Sequence, residues 1–312
     1  MPYLNTGLAT LSDQLVLACI LLYVLAMIGY ALQLGFGHLS TARPVGALLA
    51  NSSAPAGGSG ADDHANVSHP RWAAVAGTAA MLLCWLGWTA NLGAVLARGI
   101  AVARWPWGNM YEFIVAMSFG AVTAFLFMQL RHPMRFLGPF VCVAATLGLG
   151  FAVRYLHVQA GPVMPALNTY WIAIHVSAAV VASGLFIVAG VTGILYLVRK
   201  SSSVRLPSRS ELELVAHRAI VIAFPIWTFA VIAGALWADK AWGRYWGWDP
   251  KEIWAFITWI TYAAYLHARV TAGWRGTSAT IVQLVGLATL LFNLIGVNMF
   301  IAGLHSYAGL PG

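Results

Sequence analysis

The chain has 312 residues, of which 60% are hydrophobic and 8% charged, with a mean hydropathy of +0.77. Soluble domains carry roughly 25% charged residues, so this composition excludes a soluble protein and indicates one built into a membrane. The net charge of +8 would point to nucleic acid in a soluble chain, but here the lysines and arginines fall mostly in short connections between apolar runs, where they set orientation; nucleic-acid binding is excluded.

Taking about 20 apolar residues for one crossing, the sequence predicts an all-α, polytopic membrane protein with about eight spans. They lie near 14–36, 73–97, 111–130, 136–153, 171–198, 219–238, 252–272 and 278–301. The stretch before the first span carries Asp13 and no lysine or arginine where the basic start of a signal peptide belongs, so that span is expected to be retained. Between the first two spans, "NSSAPAGGSGADDHANVSHP" reads as a flexible linker rich in small residues. The chain therefore divides into residues 1–72, one span and its linker on the inner side, and residues 73–312, the remaining transmembrane domain, with a tryptophan-rich outer segment at 237–254. Cys19, Cys84 and Cys142 sit singly in apolar runs without CxxC spacing, which supports neither a disulfide framework nor a redox dithiol.

With both termini outward, the inner connections hold 11 of the 17 basic residues, the arrangement that the positive-inside rule favours. The segment between spans six and seven, "AWGRYWGWDPKEIW", then lies on the outer face. Interfacial aromatics are common, and Asp249, Pro250 and Glu252 are a helix start: a cap, a first-turn proline and a capping-box partner. That accounts for the charges and for one or two tryptophans. It leaves Trp242, Trp246 and Trp248 interleaved with Gly243 and Gly247, a pattern able to form a flat aromatic wall against a planar ligand.

Of the nine histidines, His38, His64, His69, His132 and His217 lie in connections or at their edges and call for no special role. His175 lies near the outer end of span five, and His305 follows the last span. Each alone reads as an interfacial histidine, but two of them flanking an aromatic wall match the bis-histidine clamp on haem iron. His157, in an outer loop, could replace either. His267 lies 15 residues beyond Glu252, roughly 22 Å along a helix, in the inner half of span seven. An ionisable residue there is a functional candidate, and a histidine snorkelling beside Arg269 accounts for it equally well.

With these residues in view, the chain resembles the haem-handling membrane proteins of cytochrome c maturation, and most closely the CcsA/ResC family. The resemblance rests on "WGWDPKEIW", matching W-x-W-D-P-K-E, and on "WPWGNMYEF" (105–113), "PALNTYWIAIHVS" (165–177), "YLHAR" and "GLHSY", together covering about residues 73–307; the linker at 51–69 has no counterpart in the family. It implies that His175 and His305 are external axial ligands, that His267 is a membrane histidine, and that Trp242, Trp246, Trp248 and Asp249 help to hold haem b. It further implies a CcsB/ResB-type membrane partner, an apocytochrome c bearing CxxCH as the acceptor of haem, and a bacterial plasma membrane or an equivalent energy-transducing membrane as the location. The chain itself lacks CxxCH and so is not a c-type cytochrome. The expected function is that of the haem-handling subunit of a cytochrome c synthase, whose reaction joins two cysteine thiols to the haem vinyl groups. The rivals are an exporter without ligation chemistry and a b-type electron-transfer subunit.

The basic-residue split yields a direct test of orientation. Reporter fusions after residue 205 should behave as cytoplasmic and fusions after residue 310 as external; the opposite pattern would place the tryptophan segment on the wrong side for an exported cytochrome.

Overall fold

The computed structural model describes residues 4–37, 71–131, 134–163, 169–199 and 206–305. The linker, His38, His64, His69 and His132 lie outside the described residues, so the division at residue 72 carries no structural account. Eight long helices follow in order: α1 Thr6–Phe36, α2 Arg71–Ala101, α3 Met110–Arg131, α4 Gly138–Tyr155, α5 Tyr170–Val198, α6 Arg209–Trp242, α7 Pro250–Thr271 and α8 Thr277–Leu291. α8 continues through a π-helical turn, Phe292–Gly296, into the short α9, Val297–Phe300. No strand occurs among the described residues, as expected for a chain in lipid, where a helix satisfies its backbone groups internally.

Seven of these helices are long and apolar enough to cross a membrane. α7, the seventh span expected from sequence, falls below that apolarity because its 22 residues include tryptophans, tyrosines, Lys251, Glu252 and Arg269. Its contacts with α6 nevertheless run in antiparallel order from Ala255 to Arg269, against residues 213–228 of α6. The Trp227 indole N–H donates to the Ala255 carbonyl (3.3 Å), the Trp259 indole to the Thr228 hydroxyl (2.9 Å), and Arg269 pairs with Glu213 at the far end. α7 thus lies alongside α6, with several of its polar and aromatic residues turned into helix contacts.

The helices gather around two apolar cores. One joins α1, α2, α3 and α4 around Tyr23, Tyr30, Phe125 and Leu149, with Val188, Leu195 and Tyr196 of α5 and Leu212 of α6 added; the other joins α5, α6, α7 and α8 around Phe186, Trp227, Tyr262 and Leu290. α3 contributes to both. It meets α5 where Gly120 and Gly184 face each other, close enough that a Cβ at residue 184 would lie 2.5 Å from the carbonyl carbon of Gly120. Small residues at such a crossing let two backbones approach, which is how helices gain packing in lipid.

At one end of the bundle, a buried ionic cluster ties α1, α2, α3 and the segment after α4. Arg98, 2% exposed, pairs with Asp13 and Glu112, both at 3.2 Å, and donates to the Val158 carbonyl. Arg104 pairs with Glu112 at 2.9 Å and donates to the Gly161 carbonyl at 3.1 Å. Each buried charge therefore has an opposite charge and further hydrogen bonds, the condition for tolerating it out of water.

Replacing Gly184 with Ala should force α3 and α5 apart and cost about 1–3 kcal/mol, read as a lowered Tm of the purified protein. Gly150→Ala is the control. A Cβ there meets nothing within 4 Å, so Tm should hold or rise. Equal behaviour of the two variants would show that the crossing does not depend on the close approach.

Candidate functional site

The same end of the bundle holds a partly open cavity of about 100 Å³ between α5, α6, α7 and the residues after α9, and both His175 and His305 line it. His175 sits in the second turn of α5 and reaches α6 at Gly234. A Cβ at 234 would stand 2.8 Å from the imidazole Nδ1, so only glycine leaves room for the ring. The Nδ1 lies 2.8 Å from the Ala230 carbonyl. A carbonyl only accepts, so Nδ1 carries the proton and Nε2 keeps its lone pair.

His305 is held at the same ring nitrogen by another route. Its Nδ1 lies 2.7 Å from Asp249 Oδ2. Asp249 caps α7 in a capping box with Glu252, as its sequence position predicted. Its Oδ1 accepts the Leu304 N–H at 2.6 Å, and Oδ2 accepts the Lys251 N–H at 3.2 Å. Burial acts to raise the Asp249 carboxyl, but the hydrogen bonds from His305, Leu304 and Lys251 outweigh it and hold the group below its ordinary range. The ionised carboxylate accepts, so His305 too carries a proton at Nδ1, which leaves Nε2 as the ring atom it can offer to a ligand.

Aromatic rings stand around the pair. The Trp237 indole is parallel to His175 (3° between planes, 6.3 Å between centroids) and tilted against His305 at 5.6 Å. Trp242 meets Trp237 and His305 edge-on at 4.8 and 4.9 Å. Trp246 lines the cavity beside Tyr245. Trp248 is 65% exposed, holds a left-handed φ of +57°, and meets Trp246 at 89°. Instead of the flat wall expected from the Trp/Gly alternation, the rings make a faceted surface of edge-to-face contacts, the preferred geometry of aromatic pairs.

His175, His305, Trp242, Trp246 and Asp249 are thus brought together. Trp248 stands outside the cluster, at the end of the irregular segment before α7. His157 lies away from the cavity, against Asp13 at 3.2 Å and edge-on to Tyr111. His267 is exposed near the opposite end of α7, where its carbonyl accepts the Thr271 hydroxyl. Sequence reasoning passed over Trp237, Gly234 and Ala230 as site residues. Their spacing of three to four places them on one face of α6, so the signal lay in the helix before the tryptophan segment.

The chemistry of this donor set suits an iron macrocycle. Two imidazoles line one cavity, each held at Nδ1 by an acceptor, among mostly apolar and aromatic residues.

A family model described as cytochrome C assembly protein matches residues 107–305. The cytochrome c biogenesis protein CcsA of Chlamydomonas reinhardtii is 32% identical over 224 residues, covering 68% of this chain and 64% of its own length. CcsA of Synechococcus sp. (strain CC9605) is 33% identical over 276 residues, covering 76% of this chain and 90% of its own. Among solved structures, cytochrome c heme lyase CcmF superposes with a TM-score of 0.62 at 17% identity, over 92% of this chain and 46% of that one, a likeness of fold. The chain therefore spans just under two thirds of the algal relative and just under half of the lyase.

The Asp249 arrangement predicts a pH dependence. Because its folded-state value is depressed, its stabilising contribution is complete above the ordinary carboxylate range and is lost as the pH falls through the folded value. Asp249→Asn should lower stability by about 1–3 kcal/mol at neutral pH. The Tm gap to wild type should close on acidification, and a gap independent of pH would refute the ionised tether.

Proposed function

Because this chain belongs to the CcsA family of cytochrome c assembly proteins, we propose that it is the haem-handling subunit of a cytochrome c synthase. In this reading it receives haem b as substrate, holds it at the outer face of a bacterial plasma membrane or an equivalent membrane, and presents it to the CxxCH segment of an apocytochrome c. The observation that carries the proposal is the pair of imidazoles in one cavity, with Nδ1 of His175 bonded to Ala230 and Nδ1 of His305 to Asp249. In both rings Nε2 is thereby left as the nitrogen that would ligate iron.

In the ligation, each cysteine S–H adds across a vinyl C=C: sulfur bonds to the carbon next to the ring, and the proton goes to the terminal carbon. No electrons are gained or lost overall. The chain's part is to fix the macrocycle and keep its vinyl edge accessible. The 100 Å³ cavity is smaller than the roughly 300–1,000 Å³ of ordinary ligand pockets, so loading requires the helix-free residues between α6 and α7, which carry Tyr245 and Trp246, to move aside. Trp237 and Trp242 then stay with the helix and pack on the ring. His267, exposed near the other end of α7, suits a transient ligand taking haem before the outer site, with its second axial partner supplied by a CcsB/ResB-type subunit. Its exposure on a membrane-crossing helix supports this role, since an ionisable side chain there calls for a partner.

Co-expression with a CcsB-type partner and an apocytochrome c tests the reading. Wild type should yield covalent holocytochrome. His175→Gly and His305→Gly should each lose the low-spin haem spectrum and regain part of it with imidazole. His267→Ala should reduce haem per protein while the haem that arrives keeps the low-spin spectrum. Low-spin spectra in both glycine variants without imidazole would overturn the ligand assignment, and haem leaving the cell with no covalent product would favour export.

A further inference from the structure

One wall of the cavity carries two polar groups that neither the imidazole pair nor the helix cap uses. Asn293 lies in the π-helical turn Phe292–Gly296, is 3% exposed, and lines the cavity. Its side-chain oxygen has no hydrogen-bond partner, although a buried amide almost always finds one. Beside it, the Lys251 ammonium reaches across from α7 and donates to the Asn293 main-chain carbonyl at 3.1 Å. Among the described residues Lys251 enters no ion pair. The nearby carboxylates are committed elsewhere: Glu252 Oε2 accepts the N–H groups of Gly247 and Asp249 at 2.8 and 3.0 Å, and Asp249 holds His305 and Leu304.

An ammonium that pairs directly with neither nearby carboxylate, Asp249 nor Glu252, and that stands next to an unsatisfied amide, is half of a charge pair. The missing half is an anionic acceptor with two oxygens, one for the ammonium and one for an amide N–H once the Asn293 side chain turns its NH2 inward, a rotation that exchanges near-equivalent atoms. We propose that Lys251 and Asn293 form a carboxylate-binding subsite that takes a haem propionate and so fixes the rotational setting of the ring between His175 and His305. The inference rests on the haem reading above and deepens it. Two axial imidazoles leave the macrocycle free to turn about the iron axis. A charged anchor at its edge removes that freedom, and because the propionates and the vinyls of haem b stand on opposite pairs of pyrroles, it turns the vinyls away from Lys251. Lys251 and Asn293 are positioning residues; they touch the substrate's side groups and not the reacting carbons.

The test compares haem b with haem b dimethyl ester, whose carboxylates are masked, by Soret titration of the purified full chain. Wild type should bind haem b tighter than the ester on the order of 10- to 100-fold, the size of a charge-assisted pair of hydrogen bonds. Lys251→Met should remove that preference by weakening haem b alone, with the low-spin band retained. Lys251→Arg should restore part of it, and Asn293→Leu should lower it. Equal affinities of wild type for the two haems, or a Lys251→Met loss equal for both, would overturn the subsite. Neither outcome touches the axial ligands, whose failure shows separately as an unchanged low-spin spectrum in the glycine variants.

Discussion

The geometry of the site depends on one carboxylate. Asp249 begins α7 and, with its two oxygens, also holds the main chain at Leu304 and the ring of His305. A helix start attracts negative charge through its unpaired N–H groups and dipole, so the charge that seats the histidine is stabilised by the helix it starts. The neighbourhood is tight. A Cβ at residue 303 would come within 2.7 Å of Asp249 Oδ1, so Gly303 is what lets the chain after α9 fold back onto the cap. Neither histidine is placed by its own element alone. His305 is held from α7, and His175 is held from α6.

These two supports differ in kind. The Ala230 carbonyl belongs to a helix fixed by core packing, whereas Asp249 is an ionisable group whose hold follows pH. The α5 side is therefore the constant half of the pair and the α7 side the adjustable one. The buried charges around Arg98 reinforce the constant half. They anchor α1, α2 and the segment after α4, and Phe113, one residue past Glu112, reaches the cavity beside His175.

Much of this was legible in the sequence, because membrane helices and caps are local signals. The apolar runs marked the spans, and "DPKE" marked the start of α7 to the residue. α7 is the informative exception. Its polar and aromatic content lowers its apolarity, yet the same residues make its contacts with α6, so an index that averages over the whole helix underrates it. Within the site, the sequence singled out the histidines and the tryptophans in the loop but passed over Trp237, whose role follows from α6 packing on α5. The alternation of Trp and Gly suggested a flat wall because it carries no information on ring tilt. Asn293 was invisible for a similar reason: an asparagine in an apolar helix becomes informative only when the π-helical turn and Lys251 are seen around it.

The His305 tether has a consequence for the timing of biogenesis. Hydrogen bonds spanning 55 and 56 residues hold the two imidazoles, His175 to Ala230 and Asp249 to His305. The first can form once α6 has joined α5 in the bilayer, while the second waits for α7, α8 and α9 to leave the insertion machinery. In the proposed haem role, the chain therefore passes during synthesis through a stage with one imidazole in place and the other not yet tethered, able to hold iron on a single side only. A porphyrin captured then would keep an open coordination position and react with oxygen or peroxide. With His305 placed after α9, that stage lasts until α7, α8 and α9 have inserted.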